Sequence, residues 1–197
     1  MDEDRPKVIV IGLDGATWDL IKPWADEGKL PTFKYLMENG AWGVLESTIP
    51  PMSPPAWATI ITGVRPDKHG VYDFFDIKDK KLKITTSKDI KYPKIWNILD
   101  KYGIKQIIMN IPLTYPPDKI NGYFISGFPI PSENSEFTWP TEFKEKLRQY
   151  GYKVETDPEE WVSKVRWKTL RKDINLSLIH ISEPTRPRLI SYAVFCL

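Results

Sequence analysis

Cysteine is nearly absent from this chain of 197 residues: Cys196 stands alone, so no internal disulfide can form, and a reducing compartment is the expectation. Histidine is almost as scarce, with only His69 and His180. No hydrophobic run is long enough for a signal sequence or a membrane span, because the acidic start MDEDRPK leads straight into the short run Val8-Ile9-Val10-Ile11. A cytoplasmic protein without a membrane partner is therefore expected. A concentrated basic stripe is missing too: the formal net charge is +2, with Lys and Arg scattered among Asp and Glu, which argues against nucleic acid as a partner. There is no internal repeat and no low-complexity stretch. The apolar share of 41% and charged share of 27% are those of a globular chain that can bury a good core.

Residues 176–197 read differently from the chain before them. LSLIHISEPTR, then Pro187-Arg188-Leu189, then ISYAVFCL resemble the in-frame translation of a transposase-adapter read-through, with an index-length spacer between its two segments. A natural amphipathic tail is the other reading. The adapter reading sets the segment outside the fold, as a sequencing scar would be. Cys196 and His180 then leave the inventory, and His69 is the single histidine of residues 1–175.

Within 1–175, short apolar runs alternate with helical periodicity, which predicts βα units around a mostly parallel sheet. Strands are expected at 7–13, 41–48, 105–110 and 123–126, and an exposed hairpin within 76–90. Helices are expected at 18–27, 32–39 (stopped by Gly40 as a C′ glycine), 54–62 (capped by Ser53), 92–102, 141–150 and 159–173. Proline-rich pieces at 49–55, 112–117 and 129–131 read as loops beside strand ends, where α/β proteins bind ligands.

Two residues carry the chemistry. Asp14 follows the first apolar run directly, between Gly12 and Gly15, where a tight backbone turn would present a rigid carboxylate to zinc, manganese or magnesium. Taken alone, LDG is equally a turn whose aspartate accepts neighbouring N–H groups. Ser53 precedes Pro54-Pro55, and an N-cap serine before proline is the plain reading of that pattern. The same position places a hydroxyl at a helix N-terminus, where an anionic phosphate is favoured, although two prolines remove two of the usual N–H donors. A metal would make that hydroxyl a nucleophile near neutral pH.

VIVIGLDG, LPTFKYLMENGAWG, SPPAWATIITGVRPDKHG and NIPLTYPPDKINGYFISGF together resemble the amino-terminal part of the alkaline phosphatase superfamily, in its type I phosphodiesterase/nucleotide pyrophosphatase-like branch. Within that branch the chain is similar to prokaryotic, largely archaeal phosphohydrolase/phosphomutase proteins. The resemblance covers residues 7–175 and implies an α/β fold with the doubly wound, mostly parallel sheet of that superfamily, here incomplete. It implies that Asp14 binds one of two divalent metals, usually zinc, and that Ser53 binds the same metal and becomes phosphorylated. The implied reaction is in-line displacement at phosphorus on a small-molecule phosphate ester, followed by hydrolysis of the covalent intermediate. Gly63, His69 and Gly70 match landmarks of the motif, and His69 is read as structural because it has no other histidine to share a metal with.

The departures are informative. Where nucleotide pyrophosphatases place a phosphate-contacting asparagine, this chain has Val71-Tyr72-Asp73-Phe74-Phe75, and the residue after the nucleophile, often aromatic there, is Pro54. A nucleotide substrate is therefore not indicated. Trp57 either lines the substrate pocket or packs its helix onto the sheet. The superfamily completes its metal centre with later Asp and His residues, and 100–175 contain no histidine, so those ligands are expected beyond Asn175 and this chain is expected to be an inactive amino-terminal fragment. A phosphomutase of the same superfamily and a non-catalytic α/β binding module are the alternatives.

Overall fold

The computed structural model describes residues 8–78 and 81–154. The expected helix at 159–173 and the segment 176–197 lie outside them. The described residues divide into two units, one within 8–47 and the other within 48–154.

In the first unit, Thr17 starts α1 (Trp18–Asp26), its hydroxyl accepting the Asp19 N–H at 3.3 Å, as a capping threonine does. Trp18, Ile21 and Ala25 recur at helical spacing and are buried together on one face. The Trp18 indole also donates to the Gly43 carbonyl at 2.7 Å and lies 4.7 Å from the ring of Trp42, which fastens the end of the segment to its start. Proline opens α2 (Pro31–Asn39), where its missing N–H costs nothing. Gly40 closes that helix with extended backbone, φ −124° and ψ −168°, instead of the left-handed turn expected of a C′ glycine.

The strand expected at 7–13 is not formed. Val8 and Val10 are 81% and 79% exposed, and no ladder partner pairs with this run among the described residues. The segment 41–48 likewise shows only single bridges, at Ala41 and Leu45. An apolar run states that a segment suits a buried strand, but a strand exists only when another backbone accepts its hydrogen bonds.

The second unit holds the sheet. Buried Ala58 and Ile61 anchor α3 (Ser53–Thr62), and a short α4 (Pro66–His69) follows after the left-handed Gly63. The hairpin is tighter than its sequence range: β1 (Phe75–Lys78) pairs antiparallel with β2 (Lys81–Ile84), and a turn at Thr86 closed by the Asp89 carboxylate follows. Lys94 begins α5 (Ile95–Lys101), its N–H held by the Asn97 side chain at 3.0 Å, which moves the start two residues past the expected Tyr92-Pro93 opening. Parallel β3 (Gln106–Ile111) and β4 (Gly122–Ser126) are joined by the proline-rich segment 112–121 instead of a helix, with Leu113 and Ile120 buried in the core. Two residues, β5 (Thr138–Trp139), add an antiparallel strand, so the sheet is mixed, and α6 (Phe143–Gln149) packs Phe143 4.6 Å from Tyr123.

One face of this sheet carries the main core, in which Ala58 and Ile61 of α3 meet Val71, Trp96, Leu113 and Phe124. Trp96 and Phe124 meet edge to face at 5.3 Å. A second cluster, Ile125, Ile130 and Phe137, lies under Phe143, Leu147 and Tyr152.

Candidate active site

Asp14 and Gly15 form the turn that follows the extended run 8–13, with Asp14 half-buried and Gly15 at φ 67°, a conformation that glycine adopts without a Cβ penalty. This turn belongs to the first unit. The remaining candidates, Ser53, Trp57, Gly63, His69 and Gly70, all lie in the second.

Ser53 is not the cap of its helix. Met52 takes that place, with extended φ −126° and ψ 153°, and Ser53 is the first helical residue, only 5% exposed. Among the first three helical residues only Ser53 has an N–H, and the Ala56 N–H is already bonded to the Met52 carbonyl at 3.2 Å. The terminus therefore offers an anion much less than an ordinary helix start would.

The two landmark glycines do what a helix end demands. Gly63 and Gly70 end α3 and α4 at φ 70° and 79°, their N–H groups donating to Thr59 and Pro66 carbonyls at 2.8 Å each. Between them His69 is fully buried. Its ring bridges to Thr59 Oγ1 at 3.0 Å through Nε2 and accepts the Val71 N–H at Nδ1 at 3.1 Å. Burial holds its pKa below the ordinary imidazole value, against the opposing effects of the Pro55 carbonyl and of Asp67. Trp57 is buried, and neither of two cavities on this unit includes Trp57 or Ser53 in its wall.

One polar centre had no forecast from sequence. Asp118, in the crossover segment 112–121, accepts from Trp96 Nε1 at 2.6 Å, Lys94 Nζ at 2.9 Å and Asn97 Nδ2 at 3.3 Å. Burial by itself would raise its pKa, but the Trp96 bond, then the Lys94 bond and charge, then Asn97 outweigh it and hold the carboxyl below its usual range. Ser87 grips the same segment, donating from Oγ to the Pro116 carbonyl at 2.6 Å. The signal in the sequence was a carboxylate inside the proline-rich segment 112–121.

Among the described residues no group of three or more His, Cys, Asp or Glu could hold a metal ion. Asp14 and Ser53 supply one carboxylate and one hydroxyl, too few for a zinc, manganese or magnesium centre, so the described donor set does not by itself fit the metals that the resemblance implies.

An α/β fold with a mixed parallel and antiparallel sheet is consistent with the alkaline phosphatase type. The family model for type I phosphodiesterase / nucleotide pyrophosphatase matches residues 8–191, and the chain belongs to that family. That family implies activity of the phosphodiesterase/pyrophosphatase type, a phosphoric ester hydrolase with small-molecule phosphate esters as substrates, and it is typically metal-dependent. Comparison with curated proteins and with solved structures returned no match. Among the described residues no helix is long and apolar enough to cross a membrane.

Proposed function

We propose that Ser53 is the nucleophile of a phosphodiesterase reaction and Asp14 a ligand of the metal centre that serves it. The observation that carries this reading is the placement of Ser53: a buried hydroxyl in the first turn of α3, backed by two prolines that keep the turn rigid. Its oxygen would form a bond to phosphorus as the first alcohol departs in line, carrying the serine's proton, and water would then release the phosphomonoester and restore the serine hydroxyl. Because the described donors do not complete a metal centre, no step is assigned to a metal. Two divalent ions, zinc before manganese or magnesium, are the proposed complement, with Asp14 and Ser53 among their ligands.

The test is hydrolysis of a bis-aryl phosphodiester by the intact gene product, with mass spectrometry of Ser53 for the phosphorylated intermediate. Loss of turnover in both Asp14→Ala and Ser53→Ala is expected, and full activity in both would sink the assignment. A phosphomutase shares the same phosphoserine, and an assay with a phosphosugar acceptor separates the two. A second reading, a non-catalytic binding module, is favoured by the absence of a three-ligand group among the described residues. Zinc titration of the 197-residue chain decides it: two tight sites would contradict the module.

A further inference from the structure

The carboxyl ends of the parallel strands β3 and β4 open onto a cavity of about 230 Å³ that the chemistry assigned to Ser53 does not use. Crevices at that edge of a parallel sheet are where α/β folds bind ligands. Its wall includes Asn110, Ser126, Gly127, Phe128, Tyr152 and Lys153, and contains no aspartate or glutamate among the described residues.

Three features make this wall a built one. Asn110 sits at the register shift between Met109 and Ile111 with φ 56°, left-handed backbone that costs a non-glycine residue energy and is found disproportionately at ligand sites. The Tyr152 hydroxyl donates to Asn110 Oδ1, which fixes the amide so that Nδ2 is the remaining donor, and Nδ2 has no acceptor among the described residues. Finally, the strand ends are locked behind it: fully buried Ser126 donates to the Thr114 carbonyl at 3.0 Å, and the Gly127 N–H donates to Thr114 Oγ1 at 2.9 Å. Beside these lies Lys153, which has no carboxylate partner among the described residues.

A wall with an oriented amide donor, an ammonium and no carboxylate among the described residues selects for negative oxygen. We propose that this cavity is a binding site for an anionic group, a phosphate or carboxylate on a small molecule, held by Asn110 Nδ2 and Lys153 with Phe128 offering an apolar face to the rest of the ligand. Charge-assisted bonds of this kind are the stronger class of hydrogen bond. The site stands on its own residues and does not depend on Ser53 being a nucleophile.

The experiment uses the full chain carrying Ser53→Ala and treated with chelator, so that binding at Ser53 cannot be mistaken for binding here. Inorganic phosphate and acetate are titrated separately while the Asn110 side-chain amide is followed by NMR. A saturable shift with either anion is expected; phosphate alone marks a phosphate-bearing ligand and acetate alone a carboxylate. Lys153→Ala should weaken the dissociation constant about tenfold or more, the loss of about 1.4 kcal/mol, and Lys153→Arg should retain it. Asn110→Gly, which suits the left-handed backbone, should weaken binding without unfolding the chain. No saturable shift with either anion, or unchanged affinity in Lys153→Ala, would overturn the proposal.

Discussion

The His69 ring stands 3.0 Å from Thr59 Oγ1 through Nε2 while its Nδ1 accepts the Val71 N–H at 3.1 Å, and the second bond determines the first. An Nδ1 that accepts carries no proton, so the neutral ring holds its proton on Nε2 and donates it toward α3. The histidine thereby ties α4 to the helix that begins at Ser53.

His69→Ala removes both bonds and leaves a buried void. It should cost about 3 kcal/mol of stability, read by urea unfolding. His69→Gln, which can donate and accept at similar reach, should recover part of that loss, and equal loss in both variants would contradict the bonding role.

Protonation of His69 gives a pH dependence with a definite sign. Its folded pKa is below 6.5, so on acidification the unfolded chain takes up the proton first. Stability from this residue is complete above 6.5 and declines as pH falls from there toward the folded value. Unfolding curves at stepped pH should show that decline in the parent, and His69→Gln should flatten it.

Asp118 and Lys94 make a paired prediction. With only 9% of the Lys94 side chain exposed, Asp118→Ala strands an ammonium in the protein and should cost about 3 kcal/mol, more than Lys94→Met, which leaves Asp118 its Trp96 and Asn97 donors. Since the folded pKa of Asp118 is depressed, its contribution is present above the unfolded value of 3.8 and is lost as pH falls through the folded one. Comparing the acid limb of unfolding in parent and Asp118→Asn tests both the magnitude and the sign.

Gly127 lies where the two parallel strands end, and a Cβ there would meet the Ile111 carbonyl oxygen at 2.4 Å. Backbone cannot yield as a side chain can, so Gly127→Ala should cost about 2 kcal/mol or more in thermal unfolding and close the anion cavity. A variant as stable as the parent would show that the approach is not tight.

Ser53→Ala should separate chemistry from folding. Turnover of a bis-aryl phosphodiester should vanish, whereas the unfolding midpoint should move less than in His69→Ala, because the capping position is occupied by Met52. A stability loss as large as that of His69→Ala would return Ser53 to a structural role.

What was legible in the sequence was mostly helical. The extents of α1, α2 and α3 were legible to within one residue, because a helix bonds within its own segment and its signals are local. β3 and β4 were also readable, since each carries a short apolar run that found the other as its parallel neighbour, although Ile107 and Met109 of β3 are exposed. The run 8–13 looked just as strand-like and remains unpaired among the described residues, and the two-residue β5 escaped notice altogether.

The same division runs through the functional residues. Sequence alone determined the family, the candidate pair Asp14 and Ser53, and the near absence of histidine, all of which depend on residue identity and order. Tertiary structure decided that Met52 and not Ser53 caps α3, that His69 is a neutral strut, and that Asp118 binds Lys94, Trp96 and Asn97 more than twenty positions away. It also brought Asn110 and Lys153 to one wall. Each of these is a hydrogen bond, a charge or a juxtaposition whose partner is distant in the chain, and only the folded backbone chooses that partner.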